Sequence, residues 1–145
     1  ISVMNGELNV HSDYMARLGI TQEDIDSAKR SLDSLSYTSY MLRVAYEETE
    51  VEIVAAILAC AYSYEVIAKK MVENNPAAVD DEFYGSWISG YVSEEYSEEN
   101  RVLIELLDDM TKSYTPAQIE HLKDVFLACS RYEMAFWDLS WNMSL

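Results

Sequence analysis

A carboxylate and a thiol stand in this sequence where helical cores ordinarily place hydrocarbon. Leu122, Phe126, Cys129, Glu133 and Phe136 recur at three- and four-residue spacing, which sets Glu133 on the apolar face of a helix. An ionised carboxylate buried without partners is costly, so such a residue is hydrogen-bonded, carries its proton, or borders a cavity. Two readings stay open: a structural glutamate tied to a tyrosine or arginine, or a general acid and base whose proton affinity is raised by desolvation. Cys60 lies midway along a second stripe, Ile53, Ile57, Cys60, Tyr64, Ile67 and Met71. It is either a small buried hydrophobe or a nucleophile helped by the hydroxyl of Tyr64, one turn on along the same face. Tyr37 and Tyr91 fall on the apolar faces of two further helices, so all five residues can converge in one interior. Such a hollow suits a flat aromatic ring, stacked on π-faces and bound through phenol groups. Eleven tyrosines also make a plain aromatic core.

The elements that must position these residues read as helices throughout. Four glycines and two prolines in 145 residues leave little turn material for a sandwich or barrel. The spacing predicts helices over about 5–18, ended by Gly19, and about 21–32, with Thr21 as cap and Asp24 in the first turn. A polar stretch, 31–36, reads as a break before a third helix at about 36–48. A fourth runs over about 50–72 and stops at Asn74, Asn75 and Pro76. A fifth spans about 80–111 with an irregularity at 97–100. The last runs from a capping box at Thr115, Pro116 and Gln118 to about 141. These segments describe one all-α helical bundle over residues 1–145, with no internal repeat or linker dividing it.

A formal charge of −16 repels phosphate backbones and anionic lipids, so nucleic acid and membrane are not expected partners. The acidity serves solubility or steers a cationic substrate. No uninterrupted apolar run approaches the roughly 20 residues of a membrane span, and no basic leader with a cleavage site opens the chain. With two cysteines, Cys60 and Cys129, set in helical patterns, the expected compartment is the reducing cytoplasm. Only two histidines occur, without a Glu-x-x-His pair, so no metal is expected. No phosphate loop, CxxC pair, nucleophile elbow or zincin motif is present. Glu7 with His11, and Glu120 beside His121, read as solvated helix-face pairs.

Four blocks in order then carry a family resemblance. Ala59-Cys60-Ala61-Tyr62-Ser63-Tyr64-Glu65-Val66-Ile67 resembles the cysteine helix of the thiaminase II (TenA) family, roughly P-C-x-W-x-Y-x-E-I-G. Ala59 stands for the usual Pro, Tyr62 for Trp and Ala68 for Gly. Residues Tyr84 to Tyr96 resemble Y-x-x-W-I-x-x-Y-x-S-x-E-F, and Ser130 to Trp137 resemble S-x-x-Y-E-x-x-F-W. Tyr37-Thr38 is similar to the family's Tyr-Thr pair ahead of the cysteine helix.

The resemblance implies an all-helical fold of the haem-oxygenase-like type without haem or other cofactor, assembled as a homotetramer. It implies an aminopyrimidine aminohydrolase in thiamin salvage. The substrate would be 4-amino-5-aminomethyl-2-methylpyrimidine, yielding the hydroxymethylpyrimidine and ammonia, with thiamin itself as a further substrate. Cys60 and Glu133 would be catalytic, the thiol adding to the ring and the carboxyl moving protons; Tyr37, Tyr64 and Tyr91 would bind substrate. Family members carry further N-terminal helices with an acidic residue and an aromatic that hold the pyrimidine. Those blocks are not found, and the chain opens on Ile1, so the expectation is the C-terminal two thirds of a longer TenA-type domain. The alternative is a pyrimidine-binding or regulatory protein without catalysis.

Overall fold

The computed structural model describes residues 2–142, with side chains from residue 8 onward. Among the described residues every regular element is helical: α1 (Ser2–Arg17), α2 (Gln22–Ser27), α3 (Leu32–Glu47), α4 (Glu50–Asn74), a short 3-10 turn (Pro76–Asp80), α5 (Gly85–Tyr91), α6 (Glu94–Met110) and α7 (Pro116–Asn142). Two compact units contain them, residues 1–30 and residues 31–145.

In the first unit α1 ends as expected at Gly19, whose φ of +70° lies in the left-handed region, and the amide of Ile20 reaches back to the carbonyl of Met15 at 2.9 Å. Thr21 and Asp24 cap α2 reciprocally, the Thr21 amide donating to the Asp24 carboxylate at 2.8 Å. That helix stops at Ser27 rather than near residue 32.

In the second unit the polar stretch at 31–36 is not a break. Ser31 is the N-cap of α3, accepting from the amide of Ser34 at 3.1 Å, so the helix begins at Leu32. The long fifth segment is interrupted earlier than its composition suggests. Ser93 donates to the Gly90 carbonyl at 2.7 Å and accepts from the Tyr96 amide at 3.1 Å, closing α5 and starting α6 with one side chain. Thr115 and Gln118 cap α7 as the capping box requires.

Helix α4 is the centre of this unit, packed on α3, α5, α6 and α7. By length and composition it would also qualify to cross a membrane, which the absence of a 20-residue apolar run did not foreshadow; the core helix of a bundle meets the same measure. Its fully covered face is not the stripe of bulky residues. Ala55, Ala56, Ala59 and Ala68 are buried, whereas Ile57, Ile67 and Met71 are exposed. Small side chains let neighbouring helices approach closely, and the bulk is displaced to the flanks. Val44, Ala56, Ala59, Val125 and Cys129 form one core cluster, and Val51, Ala55 and Leu122 a second. The members of α4 and α7 meet in the same order along both helices, so the two run side by side in register.

Candidate active site

Register between α4 and α7 decides which side chains can meet. Glu133, 7% exposed, occupies the buried face of α7 one turn beyond Cys129. Its carboxylate accepts a hydrogen bond from the hydroxyl of Tyr37 on α3 at 2.8 Å, across 96 positions of sequence. Tyr37 is itself held by Tyr132, whose ring stacks on it at 5.3 Å and 9°. Burial, followed by the hydrogen bond and charge of Glu133 and by the two thiols Cys60 and Cys129, pushes the Tyr37 phenol far above its usual range. Tyr37 therefore keeps its proton at any physiological pH and acts as a donor. The same phenol contacts Glu133, and Tyr37 packs on the core cluster that holds Cys129 and Ala59, the residue next in sequence to Cys60.

One turn further along both helices lies an aromatic group. Tyr64, four residues after Cys60, meets Trp137, four residues after Glu133, with ring centroids 5.9 Å apart. Tyr91 of α5 is 5.1 Å from Tyr64, and Trp87 is 6.0 Å from Tyr64 and 4.8 Å from Tyr91. Gly85 at the start of α5 passes against the backbone of the 3-10 turn, where a Cβ would collide with the Val79 carbonyl.

All five residues singled out from the sequence therefore fall on adjoining turns of α3, α4, α5 and α7. Tyr37 and Glu133 are joined directly; Cys60 and Tyr64 follow one another on α4; Tyr91 is reached through Tyr64. Trp87, Trp137 and Tyr132 pack against these rings. Their positions inside the recognised blocks were the available hint, but chain spacing does not show that three helices turn these rings toward one another.

The second cysteine has a different character. Cys129 is fully buried, with its Sγ 3.6 Å from the Met41 Sδ. Burial, then the charge of Glu133, pushes its thiol up to about 11. A thiol that hard to ionise is a packing group rather than a nucleophile, whereas Cys60 is only partly buried.

One histidine reading changes. Glu120 pairs with Lys123 at 2.6 Å, and His121 reaches instead to Glu48, 3.1 Å away and 73 positions earlier. Glu48, Glu52 and His121 bring ligand atoms within 4.8 Å of one another, the group among the described residues best placed to hold a metal ion. Glu52 is already engaged there, its carboxylate capping α4 through the amide and hydroxyl of Thr49. The proposed pair of Glu7 with His11 lies outside the described side chains.

A model of the TENA/THI-4/PQQC family matches residues 1–143. The chain belongs to that family. Among curated relatives it is 39% identical over 140 residues to the aminopyrimidine aminohydrolase of Helicobacter pylori and 38% identical over 141 residues to that of Halalkalibacterium halodurans. Each alignment takes in 97% of this chain but 64% and 62% of the relative, so the chain spans just under two thirds of their length. A TenA homologue from P. horikoshii OT3 superposes with a TM-score of 0.79 at 27% identity, covering 96% of this chain and 63% of that one. A TenA-like protein of Sulfolobus solfataricus P2, at 23% identity and a TM-score of 0.73, speaks for the fold alone. The fold is accordingly the all-α TenA fold that the four blocks implied.

Proposed function

We propose that this member of the TENA/THI-4/PQQC family is an aminopyrimidine aminohydrolase, with Cys60 as nucleophile and Glu133 as the group that moves protons. The observation that carries the reading is the hydrogen bond from the Tyr37 phenol to Glu133, made beside Ala59, the residue that precedes Cys60 on α4. The names of the relatives support the same chemistry.

In this reading 4-amino-5-aminomethyl-2-methylpyrimidine lies among Tyr37, Tyr64 and Tyr91, its face on the aromatic rings. The Cys60 thiol gives its proton to Glu133 as the sulfur adds to a ring carbon, and the electron pair pushed into the ring expels the exocyclic amine. Glu133 delivers that proton to the departing amine, which leaves as ammonia. Water adds to the exocyclic carbon, giving a proton to Glu133, and the sulfur departs to restore the aromatic ring. The proton taken from water returns to the departing sulfur. The sum is amine plus water giving alcohol plus ammonia. A thiazolium leaving group would use the same path, with thiamin as substrate. Tyr37, uncharged throughout, holds the carboxyl in one orientation, as acid–base catalysis requires.

With this function go a cytoplasmic location and a homotetrameric assembly, the first favoured by the two unbridged thiols and the second by the family resemblance; light scattering tests the second. Neither metal nor organic cofactor enters the scheme. The decisive experiment is Cys60→Ser in the full chain, assayed for hydroxymethylpyrimidine and ammonia. Loss of both is expected, and unchanged turnover would remove the nucleophile. Calorimetric binding of the pyrimidine without ammonia release would select the non-catalytic alternative.

A further inference from the structure

Directional groups reach the back of the helix that presents Cys60 and Tyr64. The main-chain carbonyl of Ala61 lies between those two residues in sequence, and it accepts from the Tyr96 hydroxyl at 3.0 Å and from the Asn100 amide nitrogen at 3.3 Å. Asn100 is 2% exposed, and the same amide nitrogen donates to the Glu65 carboxylate at 2.5 Å. Lys69 binds the other oxygen of Glu65, also at 2.5 Å. A helical carbonyl has a second lone pair beyond the one its own ladder uses, and here side chains of α6 take it up.

We propose that Asn100, assisted by Tyr96, is a positioning residue that fixes the rotation of the Cys60–Tyr64 turn of α4; the proposal rests on Cys60 being the reacting thiol. The buried face of α4 carries four alanines, 55, 56, 59 and 68, beside Val51, Leu58, Glu52 and Glu65. At the alanines, methyl groups permit close approach with little interdigitation, so directional bonds add to what packing fixes. Hydrogen bonds are directional and supply the angular reference. Tyr96 extends it to the next wall, its ring meeting Tyr91 edge-on at 4.9 Å. One side chain thus registers α4 against α5. Placement errors of about 1 Å at a reacting atom are worth on the order of a hundredfold in rate, so this anchor bears on turnover more than on affinity.

The test uses the full chain and the aminomethylpyrimidine, with kcat expressed per folded molecule well below the unfolding midpoint. Asn100→Leu keeps the volume and removes both hydrogen bonds; we expect kcat to fall by about tenfold to a hundredfold with KM nearly unchanged. Tyr96→Phe removes only the hydroxyl and should give a smaller fall of the same kind. The exchange Glu65→Gln with Asn100→Asp rebuilds a hydrogen bond between the two side chains, but leaves position 100 with no donor for the Ala61 carbonyl. It should recover thermal stability and remain slow. Recovery of kcat by the exchange, or normal kcat in folded Asn100→Leu, overturns the proposal. If the wild type itself does not release ammonia, the proposed function fails, and the anchor is then judged by alkylation of Cys60 with iodoacetamide. A rate that differs severalfold between wild type and Asn100→Leu supports positioning; equal rates overturn it.

Discussion

Glu65 and Glu133 are two carboxylates equally withdrawn from water, each 7% exposed, in opposite surroundings. Glu65 meets a cation and an amide, Lys69 and Asn100, both at 2.5 Å. Burial opposes its ionisation, but the hydrogen bonds from Lys69, Asn100 and Ser97 outweigh it and hold the carboxyl below its ordinary range. Glu133 meets a phenol that keeps its own proton, beside thiols and aromatic rings. Burial depth therefore says little about a carboxylate's role; its partners do. A glutamate neutralised by a cation is spent on structure, whereas one that meets a phenol beside a thiol is placed for chemistry.

The comparison breaks most visibly at Glu133. Glu133→Gln keeps a carbonyl oxygen for Tyr37 but loses the exchangeable proton, so hydrolysis should drop by about a hundredfold or more with little change in unfolding midpoint. Retained activity would put Glu133 in the structural class beside Glu65. Glu65→Gln should show the reverse in stability, costing about 1 kcal/mol at neutral pH by urea unfolding.

The pH dependence follows from the direction of the Glu65 shift. A carboxyl whose folded value is depressed stabilises the fold above its unfolded value of about 4.3, and that contribution is lost as pH falls through the folded one. The gap between wild type and Glu65→Gln should therefore close on acidification; a gap that widens would contradict the assignment.

Cys129 supplies an effect at the alkaline end of the scale. Its thiol is raised from 9.0 to about 11, so the folded state resists ionisation that the unfolded chain accepts. Stability should decline as pH rises from 9.0 toward about 11, and Cys129→Ala should flatten that decline in the same unfolding measurement. Arg101→Ala is the expected silent change. Its partners Glu98 and Glu105 are as exposed as it is, and exposed pairs contribute little. A measurable loss of stability or turnover there would mean that α6 is sensitive throughout and not at Asn100 in particular.

Much of the site was legible because helical spacing is a local property. A carboxylate in an apolar stripe and a thiol one turn from a tyrosine follow from 3.6 residues per turn, and Thr21, Gly19 and Thr115 announced their helix ends through chemistry that acts within four residues. The errors were of the opposite kind. Ser31 looked like part of a break and is a cap; Ser93 divides what read as one helix, because a serine's preference between turn and helix depends on which amide reaches it. The bulky stripe of α4 proved to be a flank, since the depth of a face depends on the helix opposite. Glu65 and Tyr96 stood inside family blocks and Asn100 in a predicted irregularity, but none was given a role, being ordinary polar residues on ordinary helices.

Composition and spacing by themselves determined the all-α class, most helix positions, the four family blocks and the candidate thiol and carboxylate, because each depends on residues within a few turns of one another. Only tertiary structure decided that Glu65 meets Asn100 and Glu133 a phenol, that His121 pairs with Glu48, and that Tyr64 faces both Tyr91 and Trp137. Those facts depend on the register and rotation of helices dozens of residues apart in the chain. Register is a property of packed surfaces, and no single segment encodes it.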